Sequence, residues 1–80
     1  TRIMSITVKY FASLRERMSR AHDEIPADGI ATVADVWRIA THNAVLPPNA
    51  LMAVNMDYAQ PGDRVNDGDE VAFFPPVTGG

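Results

Sequence analysis

Residues 3–10, Ile-Met-Ser-Ile-Thr-Val-Lys-Tyr, alternate in character, with Met4, Ile6, Val8 and Tyr10 on one face and Ser5, Thr7 and Lys9 on the other. That period of two predicts a half-buried strand, because successive side chains leave a strand on opposite faces. Continuing the alternation sets Phe11 on the polar side. The period then changes. Phe11, Leu14 and Met18 stand at i, i+3 and i+7, which predicts a short helix with Arg15, Glu16 and Arg17 facing water and Glu16 placed to pair with Arg20. Residues 19–31 are polar, with turn signals at Pro26 and Asp28-Gly29 and a short edge strand expected around Asp23–Ile25. Thr32-Val-Ala-Asp35 resembles a capping box in which Asp replaces the usual Glu. Val33, Val36, Trp37, Ala40 and Ala44 follow on one stripe, the main amphipathic helix, with Pro47-Pro48 as its outer limit. Leu51-Met-Ala-Val54 predicts a third strand. Pro61-Gly62 and Asn66-Asp67-Gly68-Asp69 predict turns, the second leading into a strand over Glu70-Val-Ala-Phe-Phe74 that Pro75-Pro76 stops. Alternation there sends Val71 and Phe73 to one face and Ala72 and Phe74 to the other.

The first and last strands are the strongest, as expected when the chain ends pair at the centre of a mixed sheet. One amphipathic helix on one sheet face gives an α+β roll, and the element order fits a β-grasp, the ubiquitin-like fold. Eighty residues allow one core, expected over 1–74, with 75–80 as a flexible tail. Seven Lys and Arg against ten Asp and Glu give a net charge of −3, which argues against a nucleic-acid binder. The absence of cysteine excludes disulfides, thiolate metal sites and a cysteine nucleophile. No apolar run approaches the roughly 18 residues of a membrane span, so the expectation is a cytoplasmic domain without a membrane partner.

The most informative segment is Pro75-Pro76-Val77-Thr78-Gly79-Gly80 with its free carboxylate. Each proline removes a backbone donor and fixes φ, so the chain leaves the sheet extended. Two glycines without side chains can enter a channel little wider than backbone. At about 3.3–3.6 Å per residue, such a tail reaches roughly 20 Å. The chemistry is that of a carboxylate on a stiff then thin arm, suited to another protein's active site; a frayed terminus is the plainer alternative. If Phe73 fills the core, Phe74 turns outward at the root of this arm, and Phe11 lies near it if the two strands are neighbours. Two outward aromatics there suggest a docking patch. By contrast His22 and His42 lack companions at metal spacing, Ser13, Ser19 and Thr32 lack an organised base, and a solvated turn accounts for Asp67, Asp69 and Glu70. Trp37 belongs to the core.

Val71-Ala-Phe-Phe-Pro-Pro-Val-Thr-Gly-Gly80, with Asp67-Gly-Asp-Glu70 before it, resembles the C-terminus of the MoaD/ThiS sulfur carriers, in particular those serving molybdopterin synthase. Val8-Lys-Tyr-Phe-Ala-Ser-Leu-Arg-Glu16 resembles that family's first strand and helix, and Leu51-Met-Ala-Val-Asn55 its third strand. The resemblance implies that an E1-like adenylyltransferase uses ATP to adenylate Gly80 and that a sulfurtransferase converts the product to a thiocarboxylate. The molybdopterin synthase large subunit would then take up Pro75, Pro76, Val77, Thr78, Gly79 and Gly80, and the sulfur would build the dithiolene on cyclic pyranopterin monophosphate. It implies a heterotetramer, no cofactor or metal on this chain, and catalytic residues in the partners. Phe11, Tyr58 and Phe74 match the family's partner-facing positions. The alternatives are a ubiquitin-like modifier conjugated through Gly80, a carrier for thiamine, cysteine or tRNA thiolation, and a passive interaction module.

Overall fold

The computed structural model describes residues 4–44 and 50–75. The elements are β1 (Ser5–Tyr10), α1 (Ala12–Met18), β2 (His22–Pro26), α2 (Val33–Ala40), β3 (Leu51–Val54), β4 (Asp57–Ala59) and β5 (Glu70–Phe74). They build one sheet in the order β2-β1-β5-β3-β4. The first and last strands lie side by side and parallel, Val8 opposite Val71 and Tyr10 opposite Phe73, while the other pairings are antiparallel. This is the mixed, centrally closed β-grasp sheet expected from the two strong terminal strands. Among the described residues no helix is long and apolar enough to cross a membrane.

Both helices contribute to the core on the same sheet face. Ile6, Val8, Tyr10, Val71 and Phe73 rise from the central strands against Leu14 of α1 and Val33, Val36, Trp37 and Ala40 of α2. Phe73 is fully buried and meets Trp37 edge to face, ring centroids 4.9 Å apart. Edge-to-face packing suits two rings whose faces are electron-rich and whose edges are not.

The capping box forms in both directions. Thr32 Oγ1 accepts from the Asp35 amide at 3.3 Å, and Asp35 Oδ2 accepts from the Thr32 and Ala31 amides at 3.2 and 3.0 Å. These amide donors, with Arg38 beside them, hold the Asp35 carboxyl below its ordinary range. The helix ends sooner than its apolar stripe suggests. Thr41 Oγ1 donates back to the Trp37 carbonyl at 2.7 Å, and His42 and Asn43 take φ values of 56° and 70°. The turn formed this way leaves Ala44 exposed rather than in the core stripe, and its carbonyl accepts the Trp37 indole N–H at 2.9 Å. Prolines 47 and 48 lie outside the described residues.

Three smaller expectations are also corrected. Met4 precedes the strand and is 61% exposed, because the pairing of β1 starts at Ser5. Arg20 is not on α1, since Ser19 turns left-handed at φ 58° and ends the helix. Arg20 therefore pairs with Asp23 at 2.9 Å and donates to the Ala40 carbonyl at 3.2 Å, in place of the expected pairing with Glu16. Finally β4 was not anticipated. The turn before it places Asn55 and Met56 at φ 50° and 73°, a primed two-residue hairpin turn. The usual signal is Asn-Gly, and Met in the second place conceals it.

Two predictions follow from this packing. Phe73→Ala is expected to cost about 3–5 kcal/mol in chemical denaturation, as a large truncation against Trp37. Asp35→Ala is expected to cost about 0.5–2 kcal/mol at neutral pH, in line with other lost helix caps. Because folding lowers the Asp35 carboxyl, that contribution is present above the unfolded value and is lost as pH falls through the folded one. The stability gap between wild type and Asp35→Ala, followed by thermal unfolding, therefore narrows on acidification.

Candidate docking surface

The sheet face away from the helices carries the candidate site. Its cross-strand row is read from the pairings: Lys9 on β1 lies opposite Ala72 on β5, Ala72 opposite Ala53 on β3, and Ala53 opposite Tyr58 on β4. Two alanines in the middle, flanked by long side chains, leave a shallow trough of about 330 Å³. Tyr58 and Met56 form one side and are 81% and 90% exposed. Lys9 and Glu70 form another, paired at 3.1 Å with both side chains substantially exposed. At such exposure the pair adds at most about 1 kcal/mol to stability, and its role is to place charge.

Phe11 and Phe74 close the end of the trough where the last strand leaves the sheet. Their rings stack with centroids 4.7 Å apart and planes 11° from parallel. The backbone explains the meeting. Phe11 is still extended, at φ −123° and ψ 152°, so its ring continues the outward alternation of β1. Its amide donates to the Phe73 carbonyl at 3.2 Å, and its own carbonyl accepts from Leu14 at 3.1 Å as α1 begins. The corner between strand and helix is Ala12 at φ 52°, a region costly for a residue with a Cβ. Phe11 thus caps α1 from outside instead of joining its apolar stripe. It is 41% exposed, whereas Phe74 is half-buried, its ring covered in part by Phe11. The expected pair of outward aromatics is present, one of them shielding the other.

Tyr58 lies across the trough from them, and Pro75 follows Phe74 directly. Pro76, Val77, Thr78, Gly79 and Gly80 lie outside the described residues. Reasoning from sequence missed Ala53, Met56, Lys9 and Ala72 as parts of this surface. Alternation does place Lys9 and Ala72 on the outward face, but with β4 unrecognised nothing showed that Met56 would stand beside them.

The acidic group is structural, as expected of a turn. Asp67 Oδ1 accepts from the Ser5 amide at 3.0 Å, and Asp69 accepts from the Asn66 amide and from Asn55 Nδ2 at 2.8 and 3.0 Å. Asn55 Oδ1 in turn accepts from the Glu70 amide at 3.0 Å, which ties the β3–β4 turn to the start of β5. Among the described residues no group of His, Asp and Glu could hold a metal ion.

Comparison with known proteins agrees with this architecture. The ThiS family profile matches residues 8–80. The chain is 38% identical over 84 residues to the molybdopterin synthase sulfur carrier subunit of Escherichia coli strain K12, covering 94% of this chain and 99% of that one. The crystal structure of small archaeal modifier protein 1 from H. volcanii superposes with a TM-score of 0.80 at 27% identity, covering 92% of this chain and 99% of that one. A complex of subunits 1 and 2 of molybdopterin-converting factor from Helicobacter pylori 26695 contains the same fold, with a TM-score of 0.62 at 21% identity over 96% of this chain and 100% of that one.

The ring stack can be measured directly. A double-mutant cycle of Phe11→Ala and Phe74→Ala, read by denaturant unfolding, is expected to give a coupling of about 0.5–1.5 kcal/mol beyond the two single losses.

Proposed function

The chain belongs to the ThiS family, and from that premise we propose that it is a sulfur carrier for molybdopterin synthesis whose working group is the carboxylate of Gly80. The observation that carries this reading is the exit of the central strand β5 beside an exposed apolar trough, with the Phe11–Phe74 stack at the point of departure. A partner seated on Phe11, Tyr58 and Phe74 would hold the root of the tail. Pro75 and Pro76 would then direct Val77, Thr78, Gly79 and Gly80 into the partner's active site. The binding energy comes from the handle and the chemistry happens at the tip.

A carboxylate resists attack because its negative charge is delocalised over two oxygens. Exchange of oxygen for sulfur therefore needs a better leaving group, which an E1-like adenylyltransferase provides by converting the Gly80 carboxylate and ATP to an acyl-adenylate and pyrophosphate. Hydrosulfide-level sulfur delivered by a sulfurtransferase adds to the acyl carbon, the C–S bond forms as the C–O bond to AMP breaks and AMP leaves, and the resulting thiocarboxylate is anionic and nucleophilic through sulfur. Inside the molybdopterin synthase large subunit it would attack cyclic pyranopterin monophosphate, and two turnovers supply the two dithiolene sulfurs. This scheme needs no cysteine on the carrier, in keeping with a sequence that has none. The acid and base groups belong to the partners, ATP serves the activating enzyme, and the site of action is the cytoplasm.

A second reading, conjugation of Gly80 to lysines of other proteins, is favoured by the structural likeness to small archaeal modifier protein 1. Both readings share activation and differ in what receives the acyl group. Intact mass spectrometry after incubation with activating enzyme, ATP and a sulfur source separates them. Exchange of one terminal oxygen for sulfur, absent when Gly80 is deleted, is the outcome expected of a carrier. Covalent conjugates in a cell lysate without any sulfur exchange would favour the modifier.

A further inference from the structure

Lys9 is the one lysine in the 80-residue sequence; of seven cationic side chains the other six are arginines. The distinction matters for a protein whose terminus becomes an acyl donor. An arginine guanidinium stays protonated throughout the physiological range and is a poor acyl acceptor, whereas a lysine amine that sheds its proton is a good one. This single side-chain amine stands in the wall of the trough, opposite Ala72 in the central pairing and 3.1 Å from the Glu70 carboxylate. Its side chain is 44% exposed, open to an arriving chain end.

We infer that Lys9 is an acyl-acceptor site for a second copy of this chain, whose activated Gly80 enters the trough and forms an isopeptide bond with Lys9 Nζ. The inference rests on the activation of Gly80 proposed above. The parallel pairing favours a second copy over the chain's own end. Lys9 lies opposite Ala72, and β5 runs parallel to β1 and has already passed Lys9 at Phe74, so capture of the chain's own Gly80 would require a reversal within the six residues that follow, two of them prolines. A second copy brings Pro75, Pro76 and Val77 as apolar contacts for the alanine floor and aromatic walls, and its side-chain-free Gly79 and Gly80 can approach the amine closely.

The step balances without a further reactant. The Lys9 ammonium releases a proton to water, and the neutral amine adds to the Gly80 carbonyl carbon of the acyl-adenylate. The C–N bond forms, the C–O bond to AMP breaks, AMP leaves with that electron pair, and the nitrogen gives up a second proton. A chain linked in this way has its trough filled and is withdrawn from docking.

The experiment has two arms. In the first, full-length chain carrying a chemically prepared Gly80 thioester is mixed with untreated chain, and linked dimers are mapped by peptide mass spectrometry. The thioester replaces the activating enzyme, so this arm reads the acceptor alone. An α-amine, with a pKa of about 8 against about 10.4 for lysine, is intrinsically the readier nucleophile at neutral pH. Linkage at Lys9 exceeding linkage at the α-amine is expected, and it should fall at least several-fold with Phe11→Asp, which spoils the trough while leaving the amine. Lys9→Arg keeps the charge beside Glu70 and should abolish it. Linkage confined to the α-amine, or Lys9 linkage indifferent to Phe11→Asp, overturns the inference. In the second arm the activating enzyme and ATP are supplied without sulfur, and the AMP adduct is measured separately. Failure of that adduct refutes the reading of Gly80 activation, while the first arm still decides Lys9 as acceptor.

Discussion

The parallel pairing of β1 with β5 is the contact on which the rest depends. It joins residues near opposite ends of the chain, Thr7 to Glu70 and Tyr10 to Phe73, and lies at the middle of the sheet. On one side it sets Val8, Tyr10, Val71 and Phe73, all fully buried, against the two helices. On the other it sets Lys9 beside Ala72 and brings Phe11 within stacking distance of Phe74. Core and candidate docking surface are thus opposite faces of one ladder. A shift of one residue in its register would exchange them, because side chains alternate with a period of two. The buried face protects the register, and the register keeps the outward face assembled.

Around this ladder the polar side chains act as local ties. Asn55 uses its amide to accept from Glu70 and to donate to Asp69, so the tip carrying exposed Met56 is held to the central strand. Asp67 and Gly68 bond to Ser5 and fix where β1 begins, and the Thr32–Asp35 box fixes where α2 begins. Each tie is modest alone, since a net hydrogen bond contributes on the order of 1 kcal/mol. Their value is positional.

The legible part of the sequence was its strongest periodicity. Alternation in β1 and β5 predicted both central strands, the core position of Phe73 and the outward turn of Phe74. The capping box predicted the start of α2 to the residue. Where sequence failed, a local interaction had overridden the pattern. Thr41 bonds back to Trp37 and stops α2 before Ala44, and Ser19 takes a left-handed turn that removes Arg20 from α1. Met56 occupies a turn position where glycine is the usual marker, which hid β4 and with it one side of the trough. The trough itself comes from three separate strands, and its small central residues, Ala53 and Ala72, carry no chemical signal of their own. Only the registered sheet shows that they adjoin.

β5 follows every other described element in synthesis yet lies in the centre of the sheet, which has a consequence for how the molecule is made. Two of the sheet's four strand pairings await residues 70–74, so a growing polypeptide lacking them has β1 without its inner neighbour and helices without Val71 and Phe73 beneath them. Pairing between strands so far apart in sequence slows folding and delays it until β5 has been made. Maturation is therefore ordered by topology: the globule closes only once β5 is available, and any enzyme that recognises the closed globule does not meet chains that lack it.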